Sequence, residues 1–173
     1  MLIALTGTPG TGKTSVAKFL EKNYRVIYLK NFENARMYRD VERDTYVVNL
    51  EVIRREIEKL RNGNEKIILE GHYSHEMPVD MVIVLRCHPQ ELEKRLRNRG
   101  YKESKIRENV EAEAMSLITS EAIGYHGKDK VFEVDTTHRK EDDVAMDVIR
   151  IIEKRDRRFA PRISYMEEIL KWY

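Results

Sequence analysis

The sequence contains little cysteine, no long apolar stretch and no excess of charge of one sign. Its one cysteine, Cys87, excludes an intramolecular disulfide and is typical of a reducing cytosol; it is predicted to be a buried small residue at a strand end. None of the apolar runs approaches the roughly 20 residues that a membrane-spanning helix needs. The 32 basic and 30 acidic residues leave a net charge of +2, which does not demand a nucleic-acid partner. These absences predict a cytoplasmic protein that has no membrane partner.

The 173 residues do contain short apolar runs, and these runs alternate with helical patterns. Five runs are continuously apolar, as expected for strands that are covered on both faces. They lie at residues 2–6, 25–29, 66–70, 81–85 and 130–134. The alternation predicts a three-layer α/β fold with a five-stranded parallel sheet. We expect one domain over residues 1–156 and a helical tail over residues 157–173.

Apolar residues at helical spacing predict the elements between the strands. The first helix, residues 15–21, is predicted to bury a face formed by Val16, Phe19 and Leu20. A later helix is predicted to run through Ile106, Val110 and Leu117. The tail has a further pattern at Ile163, Met166, Leu170 and Tyr173. It is predicted either to pack back on the domain or to form a docking helix or an RNA-facing tail.

Residues 7–14 read Gly-Thr-Pro-Gly-Thr-Gly-Lys-Thr and match the phosphate-binding loop pattern G-x-x-x-x-G-K-[ST] at every fixed position. The loop lies between the first predicted strand and the first predicted helix. This arrangement aims backbone N–H groups and the positive end of a helix dipole at phosphate oxygens. We expect Lys13 to reach the outer phosphates of a nucleotide and the Thr14 hydroxyl to bind Mg²⁺.

A phosphate-binding loop occurs in kinases, GTPases and motor proteins, so other groups must decide among them. A GTPase should carry an Asn/Thr-Lys-x-Asp guanine motif, and the sequence has none. A kinase needs an acid at the end of a neighbouring strand to order the water shell of Mg²⁺, and Glu70 has that place. The sequence therefore favours a kinase, although a surface carboxylate at a strand end is the alternative for Glu70.

Cationic side chains that neutralise a transferring phosphoryl group are the next requirement of a kinase. Arg95 and Arg99 lie four residues apart on one predicted helix face, and Arg107 begins the next helix. We predict that residues 98–108 form a short lid that carries such arginines, because a guanidinium grips phosphate in two places. The alternative is a solvated face on which these arginines pair with neighbouring glutamates.

An acceptor site is predicted in the polar segment over residues 30–53, where Arg36, with Arg39 and Arg43 nearby, could bind the acceptor phosphate. An exposed helical insert is the alternative there. His72, two residues after Glu70, is predicted to position a water or shuttle a proton, or merely to cap a loop. Arg139, in the loop after the fifth strand, is predicted to stack on the adenine base or to be an exposed basic residue.

Three features together resemble the nuclear adenylate kinase isoenzyme six family of eukaryotes and archaea. They are the phosphate-binding loop, the acid-x-histidine pair Glu70/His72, and the segment Arg-Leu-Arg-Asn-Arg-Gly-Tyr over residues 95–101. The resemblance covers residues 2–143 and implies the P-loop NTPase fold of nucleoside monophosphate kinases. It implies that Gly10, Gly12, Lys13, Thr14 and Ser15 bind ATP, together with the lid residue Arg99. It also places Arg36 in the region that binds AMP.

The same resemblance implies that Glu70 and His72 match a pair that the family uses for ATP hydrolysis, with Glu70 where the family usually has aspartate. It implies weak adenylate kinase and ATPase activities with Mg²⁺, coupled to the maturation of the small ribosomal subunit. The implied partners are ATP, AMP, ribosomal protein uS11 and pre-rRNA.

We therefore expect transfer of a phosphoryl group from MgATP to AMP, with Lys13, Glu70, His72, Arg95, Arg99 and Arg107 as the catalytic set. Two alternatives remain: a ribosome-assembly ATPase with vestigial kinase activity, and a small-molecule kinase with another acceptor.

Overall fold

The computed structural model describes residues 1–42 and 45–173 of the chain. Its strands are β1 (Leu2–Thr6), β2 (Arg25–Tyr28), β3 (Arg36–Asp40), β4 (Thr45–Val48), β5 (Ile67–Glu70), β6 (Met81–Arg86) and β7 (Val131–Asp135). Its α-helices are α1 (Lys13–Leu20), α2 (Leu50–Glu58), α3 (Pro89–Asn98), α4 (Glu103–Ala114), α5 (Leu117–His126), α6 (Glu141–Lys154) and α7 (Met166–Leu170). Within the described residues, no helix has both the length and the apolar content needed to cross a membrane.

Across the described ranges, five strands form a parallel sheet in the order β2-β5-β1-β6-β7, which confirms the predicted α/β architecture. The central strand β1 pairs with β5 through Leu2 and Ile67, and with β6 through Ile3 and Met81. Because all five strands are parallel, their carboxyl ends meet at one edge of the sheet. The loop after β1 and the acid at the end of β5 therefore come together at that edge.

Apolar side chains cover both faces of the sheet. Helices α1 and α6 pack on one face around Leu5, Leu20 and Phe132, and α2 and α5 cover the other face around Ile53 and Leu69. A smaller cluster between α3 and α4 contains Cys87, Leu92, Leu96 and Ile106. Cys87 is fully buried, as predicted, and burial raises the pKa of its thiol to about 11.

Two expectations about the helices are wrong. Phe19 is 39% exposed, whereas Val16 and Leu20 are buried as predicted and Ala17 completes the buried face of α1. The helix predicted through Leu117 is interrupted at Ser116, whose φ of 53° is left-handed. The buried Arg86 guanidinium donates to the Glu113 carbonyl and to the Ser116 hydroxyl at this break, so a contact distant in sequence stabilises it.

The predicted acceptor segment, residues 30–53, contains strands β3 and β4. They pair as an antiparallel hairpin, which differs from the alternative of an exposed helical insert, and residues 50–53 already belong to α2. Arg43 lies outside the described residues. The hairpin lies apart from the parallel sheet, and residue 49 leads from it directly into α2.

The tail packs back on the domain and is helical only in part. Residues 160–165 contain no helix, and α7 has five residues that do not include Ile163. The Arg157 guanidinium lies over the Phe132 ring at 5.1 Å, and the backbone N–H groups of Arg162 and Ile163 donate to the Glu133 carboxylate. Residues 160–165, called the strap below, therefore attach to a buried charge beside the sheet.

Candidate active site

The phosphate-binding loop, residues 7–14, connects β1 to α1 at the carboxyl edge of the sheet. Gly10 and Gly12 have φ values of 93° and 96°, which side-chain-bearing residues rarely adopt. A Cβ at Gly10 would also lie 2.8 Å from the Leu92 side chain. The two glycines are therefore required for this loop conformation as well as by the sequence pattern.

Lys13 is held inside the loop by the loop's own carbonyl groups. Its Nζ donates to the Gly7 carbonyl at 2.6 Å and to the Thr8 carbonyl at 3.0 Å. Burial lowers the pKa of Lys13 to about 8, and the carboxylates of Glu70 and Glu113 oppose that shift. A phosphate beside the ammonium would favour its charged form further, so the arrangement suits the binding of a polyphosphate.

Glu70, at the end of β5, meets the first turn of α1. The Thr14 hydroxyl donates to Glu70 Oε1 at 3.3 Å. Burial raises the pKa of Glu70, although Lys13 and the Thr14 hydrogen bond act in the opposite direction. A hydroxyl and a carboxylate are hard oxygen ligands that fit Mg²⁺, which usually retains waters and shares phosphate oxygens. Among the described residues, no group of three or more His, Cys, Asp or Glu side chains could hold a metal without such help.

His72 lies in the same cavity wall, with its ring edge-on to Tyr73 at a centroid distance of 4.9 Å. Burial by the surrounding protein, with nearby Lys13, His75 and Lys105, lowers the pKa of His72 to about 4. Although the side chain is accessible from the cavity, the imidazole is therefore neutral at pH 7. A neutral imidazole can accept a hydrogen bond from water.

A cavity of about 640 Å³ joins these groups. Its walls contain Gly10, Gly12, Lys13, Thr14, Ser15, Glu70, His72 and Arg99 from the predicted set. The remaining wall includes Lys30, Thr45, Tyr73, Tyr101, Lys105, Glu108, Asn109 and Glu121. The cavity thus extends from the phosphate-binding loop toward the hairpin on one side and toward α4 and α5 on the other.

Four predicted site residues lie outside those walls. Arg95 donates to Glu91, to the Gly10 carbonyl and to both oxygens of Thr136, so its guanidinium braces the outside of the loop. Arg107 is 81% exposed and pairs with Glu111 on the surface of α4.

The other two are Arg139 and Arg36. Arg139 pairs with Asp147 at 2.8 Å. Arg36 lies on the hairpin with its guanidinium over the Tyr46 ring at 4.6 Å and donates to the Lys30 carbonyl. The roles predicted for these four arginines stay predictions.

Two buried side chains near the site were not predicted from the sequence. His75 is 2% exposed, and its ring nitrogens contact the Thr6 hydroxyl at 3.1 Å and Glu121 at 2.9 Å. Glu113 is equally buried and contacts the phosphate-binding loop. The one available signal for Glu113 was Arg86, a charged residue that ends an otherwise apolar strand and must find an acidic partner if it is buried.

Comparisons with known proteins agree with this geometry. The sequence model of a family described as "AAA domain" matches residues 3–116. A "Putative adenylate kinase" of Methanosarcina acetivorans is 46% identical over 164 residues, covering 88% of this chain and 87% of that protein. The protein of the same name from Pyrococcus abyssi is 40% identical, covering 96% and 92%. The one from Methanocaldococcus jannaschii is 36% identical, covering 91% and 89%.

Solved structures show the same fold at low sequence identity. The YorR protein of Bacillus subtilis, solved in complex with phosphorylated GDP, has a TM-score of 0.59 at 24% identity and covers 88% of this chain and 96% of its own. The thymidylate kinase of Candida albicans has a TM-score of 0.58 at 13% identity, with coverages of 94% and 95%. Fold and site thus define a P-loop protein of the nucleoside monophosphate kinase class. Within that class, the chain belongs to an adenylate kinase-like family.

Proposed function

We propose that this protein transfers the γ-phosphoryl group of MgATP to AMP and releases two ADP. The observation that carries the proposal is that one cavity holds the loop lysine, the Thr14–Glu70 pair and Arg99. The relatives named as adenylate kinases support AMP as the acceptor.

The proposed reaction forms a bond between an AMP phosphate oxygen and the γ-phosphorus, and breaks the bond from that phosphorus to the β,γ-bridging oxygen. Because the AMP phosphate is largely ionised at pH 7, the step needs little help from a base. Its rate depends on position and on charge neutralisation. Lys13 and the loop amides would hold the β- and γ-phosphates, and Arg99 would neutralise the transferring group. Mg²⁺, when bound through Thr14 and the waters ordered by Glu70, would supply further charge neutralisation.

Arg36 is the residue that we propose for the acceptor phosphate. It lies on the hairpin, and its guanidinium donates to the carbonyl of Lys30, a residue that lines the cavity. The variant Arg36→Ala should raise KM for AMP by about tenfold, the loss expected for one charged hydrogen bond. It should leave KM for MgATP near that of wild type. Arg55→Ala removes a 75% exposed arginine that pairs with Glu51 on α2 and serves as the matched control.

The decisive experiment measures ADP and free phosphate formed from MgATP, alone and with AMP, CMP, UMP, GMP, shikimate or gluconate. ADP formation that depends on AMP and releases no phosphate supports the proposal. Dependence on a different acceptor contradicts it. The variant Lys13→Met, purified in the same way, should be inactive and so controls for contaminating kinases.

ATP hydrolysis is a second proposed activity, and the neutral His72 beside Glu70 favours it. In that reaction His72 would orient a water toward the γ-phosphorus. His72→Ala should lower phosphate release more than it lowers AMP-dependent ADP formation. Equal loss of both would contradict a role specific to hydrolysis.

The family resemblance extends the proposal to small-subunit maturation, with ribosomal protein uS11 and pre-rRNA as partners. Binding of purified uS11 whose affinity changes with MgATP would support that role. Binding that is absent with and without nucleotide would contradict it.

A further inference from the structure

A buried chain of charged groups lies beneath the phosphate-binding loop. The Arg86 guanidinium, 1% exposed, joins two buried carboxylates, those of Glu113 on α4 and Glu133 on β7. None of these three side chains lines the cavity. Such a group of charges is costly to bury, so each member must be well satisfied by donors or acceptors.

Glu113 is the member that reaches the loop. One of its carboxylate oxygens accepts from Arg86 Nε at 2.8 Å and from the Cys87 N–H at 3.0 Å. The other accepts the hydroxyl of Thr8 at 2.7 Å. Thr8 is 2% exposed, so this charge-assisted hydrogen bond is shielded from water.

Two hydrogen bonds within the loop go to the backbone carbonyl of Thr8. The Thr8 carbonyl accepts from Lys13 Nζ at 3.0 Å and from the Thr11 hydroxyl at 2.8 Å. Fixing the Thr8 side chain therefore also fixes the carbonyl that orients the loop lysine. The helix that carries Glu113 meanwhile contributes Lys105, Glu108 and Asn109 to the far wall of the cavity.

We infer that Glu113 is a positioning residue, which sets the place of the phosphate-binding loop and of Lys13 through the Thr8 hydroxyl. The inference rests on the proposed function only in taking MgATP as the ligand of the loop. Glu113 is an anion outside the cavity, so it adds nothing to phosphate binding by direct contact. Its effect passes through the loop.

The test compares the two ends of the buried network. Thr8→Val keeps the shape of the side chain and deletes the hydroxyl, whereas Thr8→Ser keeps the hydroxyl. At the other end, the Thr119 hydroxyl donates to Glu133 at the same distance of 2.7 Å, and Thr119 is also buried. Thr119→Val is therefore the matched control, because it removes an equivalent bond that does not reach the loop.

Equilibrium binding of MgATP, kcat with AMP, and the temperature of thermal unfolding are measured for each variant. We expect Thr8→Val to weaken MgATP binding by about tenfold or more and to lower kcat, which is the effect of one lost charge-assisted bond. Thr8→Ser should retain most of the wild-type affinity, and Thr119→Val should bind MgATP as wild type does. Both valine variants should lower the unfolding temperature by similar amounts, so stability alone cannot explain a difference in affinity.

A second variant, Glu113→Gln, checks the carboxylate itself. Its effect on MgATP affinity should not add to that of Thr8→Val in the double variant, because each abolishes the charge-assisted bond between Thr8 and the carboxylate. Wild-type affinity in Thr8→Val, equal losses in Thr8→Val and Thr8→Ser, or equal losses in Thr8→Val and Thr119→Val would each overturn the inference. If the wild-type protein binds MgATP but makes no ADP from AMP, the proposed function is wrong. The MgATP affinities of these variants would still test the positioning role of Glu113.

Discussion

Arg99 and Arg97 are two residues apart, and their surroundings differ. Arg99 follows the last residue of α3 and borders the cavity, whereas Arg97 is half-exposed and pairs with Glu93 and Glu103. We expect Arg99→Ala to lower kcat by about 10³, the loss typical when a charge that stabilises a transferring phosphoryl group is removed. Arg97→Ala should keep kcat near wild type in the same coupled assay. Near-normal turnover in Arg99→Ala would remove this arginine from the proposed site.

His72 should make the stability of the folded protein depend on pH. The pKa of its imidazole is about 4 in the folded protein, against 6.5 ordinarily. Between these values the unfolded chain binds more protons than the folded chain does. The stability contributed by His72 is therefore present above pH 6.5 and decreases as the pH falls toward 4.

The variant His72→Gln has no titrating imidazole and should lose less stability between pH 7 and pH 5 than the wild type loses. Unfolding temperatures of both proteins at the two pH values test this. Parallel losses in the two proteins would show that the folded pKa of His72 lies near its ordinary value.

At the scale of elements, patterns within short segments predicted the parallel sheet and much of the cavity wall. Continuous apolar runs marked all five parallel strands, and a local motif marked the loop with Lys13 and Thr14. The hairpin gave no such signal. Its strand β3 is exposed at almost every position, so its residues do not alternate between a buried face and an exposed face. Glu113 and the break at Ser116 depend on Arg86, which is 27 residues away from Glu113 in the chain. No spacing pattern encodes a pairing of that kind.

The strap attaches the tail to the domain through a buried charge, so its removal should cost stability. Its Arg162 and Ile163 amides donate to one oxygen of the buried Glu133 carboxylate, at 2.9 and 2.8 Å. The Tyr165 ring also faces the Arg86 guanidinium at 5.2 Å. Deleting residues 161–173 should therefore lower the free energy of unfolding by about 2 kcal/mol or more, because a buried carboxylate loses two donors.

A shorter deletion controls for loss of the exposed end. Removing residues 171–173 breaks the pair between Glu168 and Lys171, whose side chain is 61% exposed, and should change the free energy of unfolding by less than about 1 kcal/mol. Urea unfolding of the two truncated proteins and the full chain gives the comparison. Equal stability of the longer deletion and the full chain would show that water replaces the strap at Glu133 without cost.

At the scale of the whole molecule, nucleotide binding should be visible as global stability. A ligand that binds only the folded state at a hundred times its Kd raises the free energy of unfolding by about 2.7 kcal/mol. ATP with Mg²⁺ should therefore raise the unfolding temperature more than ATP with EDTA does, because Thr14 and Glu70 act on the metal–phosphate complex. In Glu70→Gln the difference between Mg²⁺ and EDTA should shrink, whereas Arg97→Ala should keep the wild-type difference. An equal shift with Mg²⁺ and with EDTA in the wild type would mean that the loop binds phosphate without the metal, and that Glu70 has no part in ordering its waters.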